Sequence, residues 1–326
     1  MPNLLPGLRS SRRWRLVAIV VILAAVLGAE VALRVTLGLG HPPLSYADPD
    51  YGYAFVPNQH LHRFGRRIYY NALGLRSEEM AAVKPATTLR VLTIGDSVNN
   101  GGVLTDQAET YPYLLAAELR SRGLRAETLN ASAGSWGVEN ELAFLRKKGL
   151  FGSDVVVHQI GTHDLWQGKS TGDKVGKEVE MPDRNPPSAL VELLHRYLWP
   201  RIWSKLAPAP ARTSGPTDAD RRRVLAAIGE TVRYVRGQGA QIVLLLTPNR
   251  EELDQPQLYA EWREPFFTLA RQLDVPCVDM LPIFIQAARR QNPFRDGVHP
   301  NPFGNSCMAR AVAGQLVALR APLVSR

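Results

Sequence analysis

Ser97 stands two residues beyond an apolar run, Leu89–Gly95 (LRVLTIG), in the stretch IGDSVNNGG. A hydroxyl at the end of a buried strand faces a crevice and can act as a nucleophile when a base reaches it. The same residue can instead cap a helix or satisfy a turn. The nucleophile elbow G-x-S-x-G is not met, because Asn99 occupies the place of its second Gly. His299 lies in RDGVHPN, three residues after Asp296 and just ahead of the last helix. An Asp at that spacing can accept from one imidazole nitrogen and leave the other as a base. Ordinary turn chemistry near a helix start is the alternative.

A third pair, His163-Asp164, closes the run SDVVVHQIGT. His163 can donate to a developing oxyanion, compete as a general base, or cap a turn with Asp164 buried beneath the sheet edge. No third ligand lies at helical or hairpin spacing from this pair, which leaves a metal poorly supported. Residues 130–137, NASAGSWG, come after another strand and offer backbone N–H groups from a Gly-containing loop. Such a loop can aim donors into a cavity, cradle a phosphate, or be a plain tight turn. Neither the P-loop nor the GxGxxG pattern occurs, so nucleotide binding has little support.

Strands alternating with helices must position these residues. Buried-strand runs read at 89–95, 125–130, 153–160, 241–247 and 276–279, with helices at 110–120, 138–148, 189–206, 221–238, 261–273 and 302–319. That alternation implies an α/β fold whose mostly parallel sheet is covered on both faces. Ligands of such sheets bind beyond the carboxyl ends of the strands, where Asp96-Ser97, His163-Asp164 and Pro248-Asn249 all fall. Residues 39–88 read as an extended lead-in with a short strand near Arg67–Tyr70, residues 89–326 as the domain proper, and 207–219 as a flexible excursion. Tyr197, Trp199 and Trp203 in the 189–206 helix can line a groove, fill a core or face a membrane.

The first forty residues carry a separate message. Leu16–Ala29 is uncharged, Glu30 and Arg34 interrupt the apolar residues beyond it, and Arg9, Arg12, Arg13 and Arg15 precede it. A membrane anchor, a cleaved signal peptide and a surface helix compete. Apolar side chains on every helical face favour an uncleaved anchor over 16–38, with residues 1–15 on the cytoplasmic side. The bulk then lies outside the inner membrane of a bacterium-like cell. The chain has 326 residues, 45% hydrophobic and 21% charged, which excludes a disordered or collagen-like chain. Of the formal charge of +9, five Arg against one Glu in residues 1–40 supply +4. The remaining charge is too dilute for a nucleic-acid face. Two cysteines, Cys277 and Cys307, rule out a thiolate-rich zinc site and leave one disulfide or two buried thiols open.

In order along the chain, four blocks resemble those of the SGNH or GDSL hydrolases. Gly95-Asp96-Ser97 matches the GDS block, with Val98 where the name expects Leu. NASAGSWG is similar to the second block, with Ser135 where Gly is frequent, and Gly161-Thr162-His163-Asp164 resembles Gly-x-Asn-Asp. Asp296-Gly-Val-His299 matches Asp-x-x-His. The departure that matters is His163 in the Asn position.

The resemblance implies a three-layer, flavodoxin-like fold with Ser97 as nucleophile, His299 as base and acid, and Asp296 orienting it. Ser97, Gly134, Ser135 and His163 would form the oxyanion site, with Asp96 and Asp164 in support. It implies small acyl groups, often acetyl, on carbohydrates or lipids, with no cofactor and no metal. YGYAFVPNQ and NALGLRSEE are similar to the N-terminal extension of membrane-anchored members found outside the cytoplasm. The expected partners are an ester of a carbohydrate or lipid, the membrane, and polysaccharide-modification machinery, but no nucleic acid. Esterase, O-acetyltransferase and a catalytically degenerate polysaccharide-binding relative are all compatible with these residues.

Overall fold

The structure, a computed structural model of the chain, describes residues 7–206 and 215–324; residues 207–214 of the expected excursion lie outside it. Helix α1 (Gly7–Ala32) leads through a π-helical turn, Leu33–Leu37, into two antiparallel hairpins. These are β1 (Ser45–Asp48) with β2 (Gly52–Phe55), and β3 (Gln59–Arg63) with β4 (Arg66–Tyr70). The lead-in is therefore more ordered than one short strand. It also feeds the core, since Tyr51 and Tyr53 are buried against Trp136 and Phe144.

Five parallel strands come next: β5 (Leu89–Gly95), β6 (Ala126–Ser132), β7 (Val155–Gly161), β8 (Gln241–Thr247) and β9 (Cys277–Asp279). Their order is β6-β5-β7-β8-β9, the flavodoxin-like arrangement. Alternate residues of each strand serve opposite faces. Leu92, Ile94, Val156, Leu244 and Leu246 pack on one side, toward helices α4 (Val138–Lys148), α7 (Asp218–Gly237) and α8 (Ala260–Gln272). Val91, Val155, Val157, Val243 and Leu245 pack on the other, toward α3 (Tyr111–Ser121), α9 (Met280–Ala288) and α10 (Pro302–Val324). Burial on both faces is why the strands read as unbroken apolar runs. Cys277 packs with the first cluster and Cys307 with the second, and both thiols are free. No bridge joins them.

Beyond the lead-in, three more elements differ from the sequence-based expectation. Helix α9 was not apparent. A short helix, α2 (Ser97–Asn100), begins at Ser97 itself, ahead of the expected helix over 110–120, because the Asp96 carboxylate accepts from Val98 N at 2.8 Å and caps it. The expected helix over 189–206 is three pieces: α5 (Ala189–Glu192), a π-helical stretch Leu193–Leu198, and α6 (Trp199–Leu206). Pro200 supplies the reason. It has no N–H and its ring crowds the preceding turn, which the wider π turn relieves.

Helix α1 is exposed over 12–29 and packs on nothing there. Its Arg12–Leu37 segment is long and apolar enough to cross a membrane.

Candidate active site

Strand ends β5 and β7 and the loop before α10 converge on one place. Ser97 Oγ lies 2.9 Å from His299 Nε2, and His299 Nδ1 lies 2.9 Å from both carboxylate oxygens of Asp296. Asp296 also accepts from the backbone N–H groups of His299 (2.9 Å) and Val298 (3.1 Å). Partial burial raises its pKa, but those N–H groups and the His299 ring outweigh burial and hold the carboxyl below its usual range. An ionised Asp296 keeps a proton on Nδ1, so the Nε2 lone pair faces the Ser97 hydroxyl. That arrangement can take a proton from Ser97.

The Ser97 N–H is in the first turn of α2 and has no partner within that helix. Facing it is the loop after β6. A methyl group placed on Gly134 would lie 3.9 Å from Ser97 Cβ, so the loop passes directly beside the hydroxyl. Ser135 adopts φ of 59°, a left-handed conformation that glycine takes without strain. Tyr53 of the lead-in donates from its hydroxyl to Gly134 O at 2.6 Å and fixes this turn from behind.

His163 does not present a spare N–H to this space. Its Nε2 lies 3.0 Å from Asp96 Oδ2 and 3.4 Å from Asp164 Oδ1, and its Nδ1 lies 3.2 Å from Asn249 Oδ1. Oxygen acceptors on both nitrogens call for an imidazolium. Burial disfavours the charge, but Asp164 and Asp96 prevail and push the His163 pKa up to about 10. Asp96 is depressed although buried, chiefly by that ring, whereas burial drives Asp164 well upward. The charged pair is thus Asp96 and His163. Gly161 makes room for it, since a methyl there would fall 2.4 Å from His163 Cε1. The difference from the expected oxyanion donor has a physical cause: Asp96 claims the Nε2–H first.

Asp96, His163 and Asp164 together offer three ligand atoms within 4.8 Å of one another, a set that can hold a metal ion. Spacing along the chain hides it, because Asp96 comes from a different strand end. Asp96 and His163 already satisfy one another as an ion pair without an ion.

Two supports give no signal in the sequence. Buried Arg76, in the NALGLRSEE segment, donates to the carbonyls of Asn100 (2.7 Å), Gly102 and Thr105 (2.7 Å), clamping the chain just after α2. Replacing it with Met leaves three carbonyls unpaired and is expected to cost about 3–5 kcal/mol. Denaturant titration measures that loss. Arg76→Lys should recover only part of it, since one ammonium cannot reproduce the guanidinium fork. The second support is Glu141 Oε2 at 2.6 Å from His158 Nε2, both fully buried on the α4 side of β7. Burial raises Glu141 and lowers His158 to about 3, so the pair shares one proton and is neutral.

A Ser–His–Asp relay at the carboxyl edge of a five-stranded parallel sheet defines a serine hydrolase of three-layer α/β architecture. The chain belongs to the GDSL-like lipase/acylhydrolase family, whose profile matches residues 93–306, well over half of its length. It is therefore an enzyme of the SGNH/GDSL type, with the ester chemistry of that class. Among solved structures it is similar to an alpha/beta hydrolase from the metagenome of Lake Arreo. The two are 17% identical with a TM-score of 0.46, over 73% of this chain and 98% of that one. It is also similar to an acetyl-xylooligosaccharide esterase of Geobacillus stearothermophilus, at 16% identity and TM-score 0.46 over 70% and 94% of the two chains. A lipolytic G-D-S-L protein of Veillonella parvula matches at 14% identity and TM-score 0.45, over 71% and 99%. No curated protein matches.

Proposed function

We propose that the protein is a serine esterase that removes small acyl groups, acetyl foremost, from a carbohydrate or lipid ester outside the cytoplasm. The observation that carries this reading is the relay, with Ser97 Oγ, His299 and Asp296 each 2.9 Å from the next. His299 takes the proton as Ser97 Oγ bonds to the ester carbonyl carbon. The oxyanion meets the N–H groups of Ser97 and the Gly134–Ser135 turn. His299 then returns the proton to the alcohol oxygen as the ester C–O bond breaks, and water resolves the acyl-enzyme by the same route.

His163 acts in this scheme as a positioning residue. Its charge cancels that of Asp96, whose Oδ2 lies only 3.4 Å from Ser97 Oγ and would otherwise repel a developing negative charge. With side chains 27% and 46% exposed, His299 and Asp296 sit at the surface, where an ester of a bulky polar alcohol can approach. Helix α1, with four Arg before its apolar run, supports attachment to a bacterial inner membrane with the domain on the outer side.

Turnover of p-nitrophenyl acetate by the full chain, with and without glycan acceptors, tests the reading. Release of acetate that requires Ser97 is the expected result. Acetylated glycan as the main product would replace hydrolysis by O-acetyl transfer to exported polysaccharide. A folded chain with no Ser97-dependent release of any acyl group would leave a binding protein.

A further inference from the structure

Large apolar side chains are exposed singly over most of the described surface, but they gather in two places. One is α1. The other is the segment 194–203, where Leu194, Leu198, Trp199, Ile202 and Trp203 are each 42–59% exposed. Trp199, Ile202 and Trp203 share a face of α6 by their i, i+3, i+4 spacing, and the two indoles stack with centroids 6.1 Å apart. The opposite side of the segment is fastened to the lead-in. Arg63 pairs with Glu192 in the interior and donates to the Tyr197 hydroxyl at 3.0 Å, while Tyr197 meets Phe64 edge-on. The segment is thus pinned as far as Tyr197, with its apolar side bare.

Its height relative to α1 is fixed as well. The Glu30 carboxylate accepts from Ala189 N (2.8 Å) and Leu190 N (3.0 Å), which binds the start of α5 to α1. Glu30 is the first charge after the fourteen uncharged residues Leu16–Ala29, a run of about 20 Å at helical rise. Hydrocarbon is about 30 Å thick, so the span takes in residues that flank this run: arginines before it reach back to one boundary, and Glu30, paired with Arg34 at 2.6 Å, lies close to the other. The segment from α5 to α6 therefore leaves α1 at the level of the headgroups, where tryptophans gather and amphipathic helices lie flat.

We propose that the face formed by Leu194, Leu198, Trp199, Ile202 and Trp203 is a second membrane-binding element. It beds into the acyl–headgroup boundary of the leaflet through which α1 emerges. The protein is then held by one span and one interfacial helix, joined through Glu30, and its catalytic domain cannot swing freely on α1. This inference rests on α1 being a membrane anchor, so its test reads the two separately.

The full chain is reconstituted into phosphatidylcholine bilayers, plain or brominated near the carbonyl end of the acyl chains, and tryptophan fluorescence is compared. Trp14→Phe leaves five of the six tryptophans, and brominated lipid is expected to remove up to about two-fifths of their signal. The triple variant Trp14→Phe, Trp199→Phe, Trp203→Phe should lose that sensitivity. The double variant Trp199→Phe, Trp203→Phe, which keeps Trp14, reports on α1 alone. Quenching in the double variant but not in Trp14→Phe would overturn the inference and leave the anchor standing. No quenching in either would remove the anchor and the inference together. Quenching that persists in the triple variant, or a face shielded in a cross-linked dimer, would also overturn the inference.

Discussion

Alanine at Ser97 is expected to lower kcat for an activated acetyl ester by at least about 10⁴-fold, and alanine at His299 to do nearly the same. The double variant should lose little more than the worse single one. The reason is geometric. His299 Nε2 has its lone pair aimed at Ser97 Oγ across 2.9 Å, and neither group forms an acyl-enzyme efficiently without the other. Residual turnover then comes from binding and from the N–H groups of Ser97 and the Gly134 turn. Asp296→Ala should cost less than either, because the carboxylate is half exposed and water replaces part of what it does. Single-turnover kinetics on folded variants check the set. Additive losses would mean that Ser97 and His299 do not work as a unit.

The second large effect concerns His163 and is read against pH. Its folded pKa, about 10, lies above the ordinary histidine value of 6.5. The folded protein therefore holds a proton that the unfolded chain releases across that interval. The resulting stabilisation is complete below about pH 6.5 and is lost as pH rises toward 10. From about pH 6 to pH 9 the wild-type chain should therefore lose stability from this source. His163→Gln should flatten that slope while lowering stability at pH 6, because Asp96 then lacks its cation. Turnover in the same variant should fall about tenfold, mainly in kcat, as the uncompensated Asp96 charge opposes the oxyanion. Denaturant titrations at the two pH values and one kinetic series give both readouts. A slope unchanged in His163→Gln would place the titrating group elsewhere.

The sheet was legible because every strand is buried on both faces, so each appears as a short apolar run between turn residues. Ser97, His163 and His299 were legible for a related reason. Functional side chains collect just past such runs, and Asp296 is only three residues from its partner. What the sequence hid depends on contacts between distant segments. Arg76 reads as one more charge in a polar lead-in until its three carbonyl partners, 24 to 29 residues away, are seen around it. Tyr53 reaches Gly134 across 81 residues and His163 reaches Asp96 across 67. The residue types at 163 suggested a donor to substrate; only the fold shows a carboxylate already waiting for that proton. Trp199 and Trp203 illustrate the same limit. Their spacing gives a shared face, but whether it is core or surface is decided by what packs against it.

The central claim is that Ser97 is an activated nucleophile, and covalent trapping tests it most directly. The purified full chain is exposed to a fluorophosphonate and digested, and the labelled peptide is located by mass spectrometry. The expected adduct is on Ser97, absent in Ser97→Ala and slowed by orders of magnitude in His299→Ala. A folded protein that leaves Ser97 unlabelled, or labels it equally fast without His299, would contradict the account.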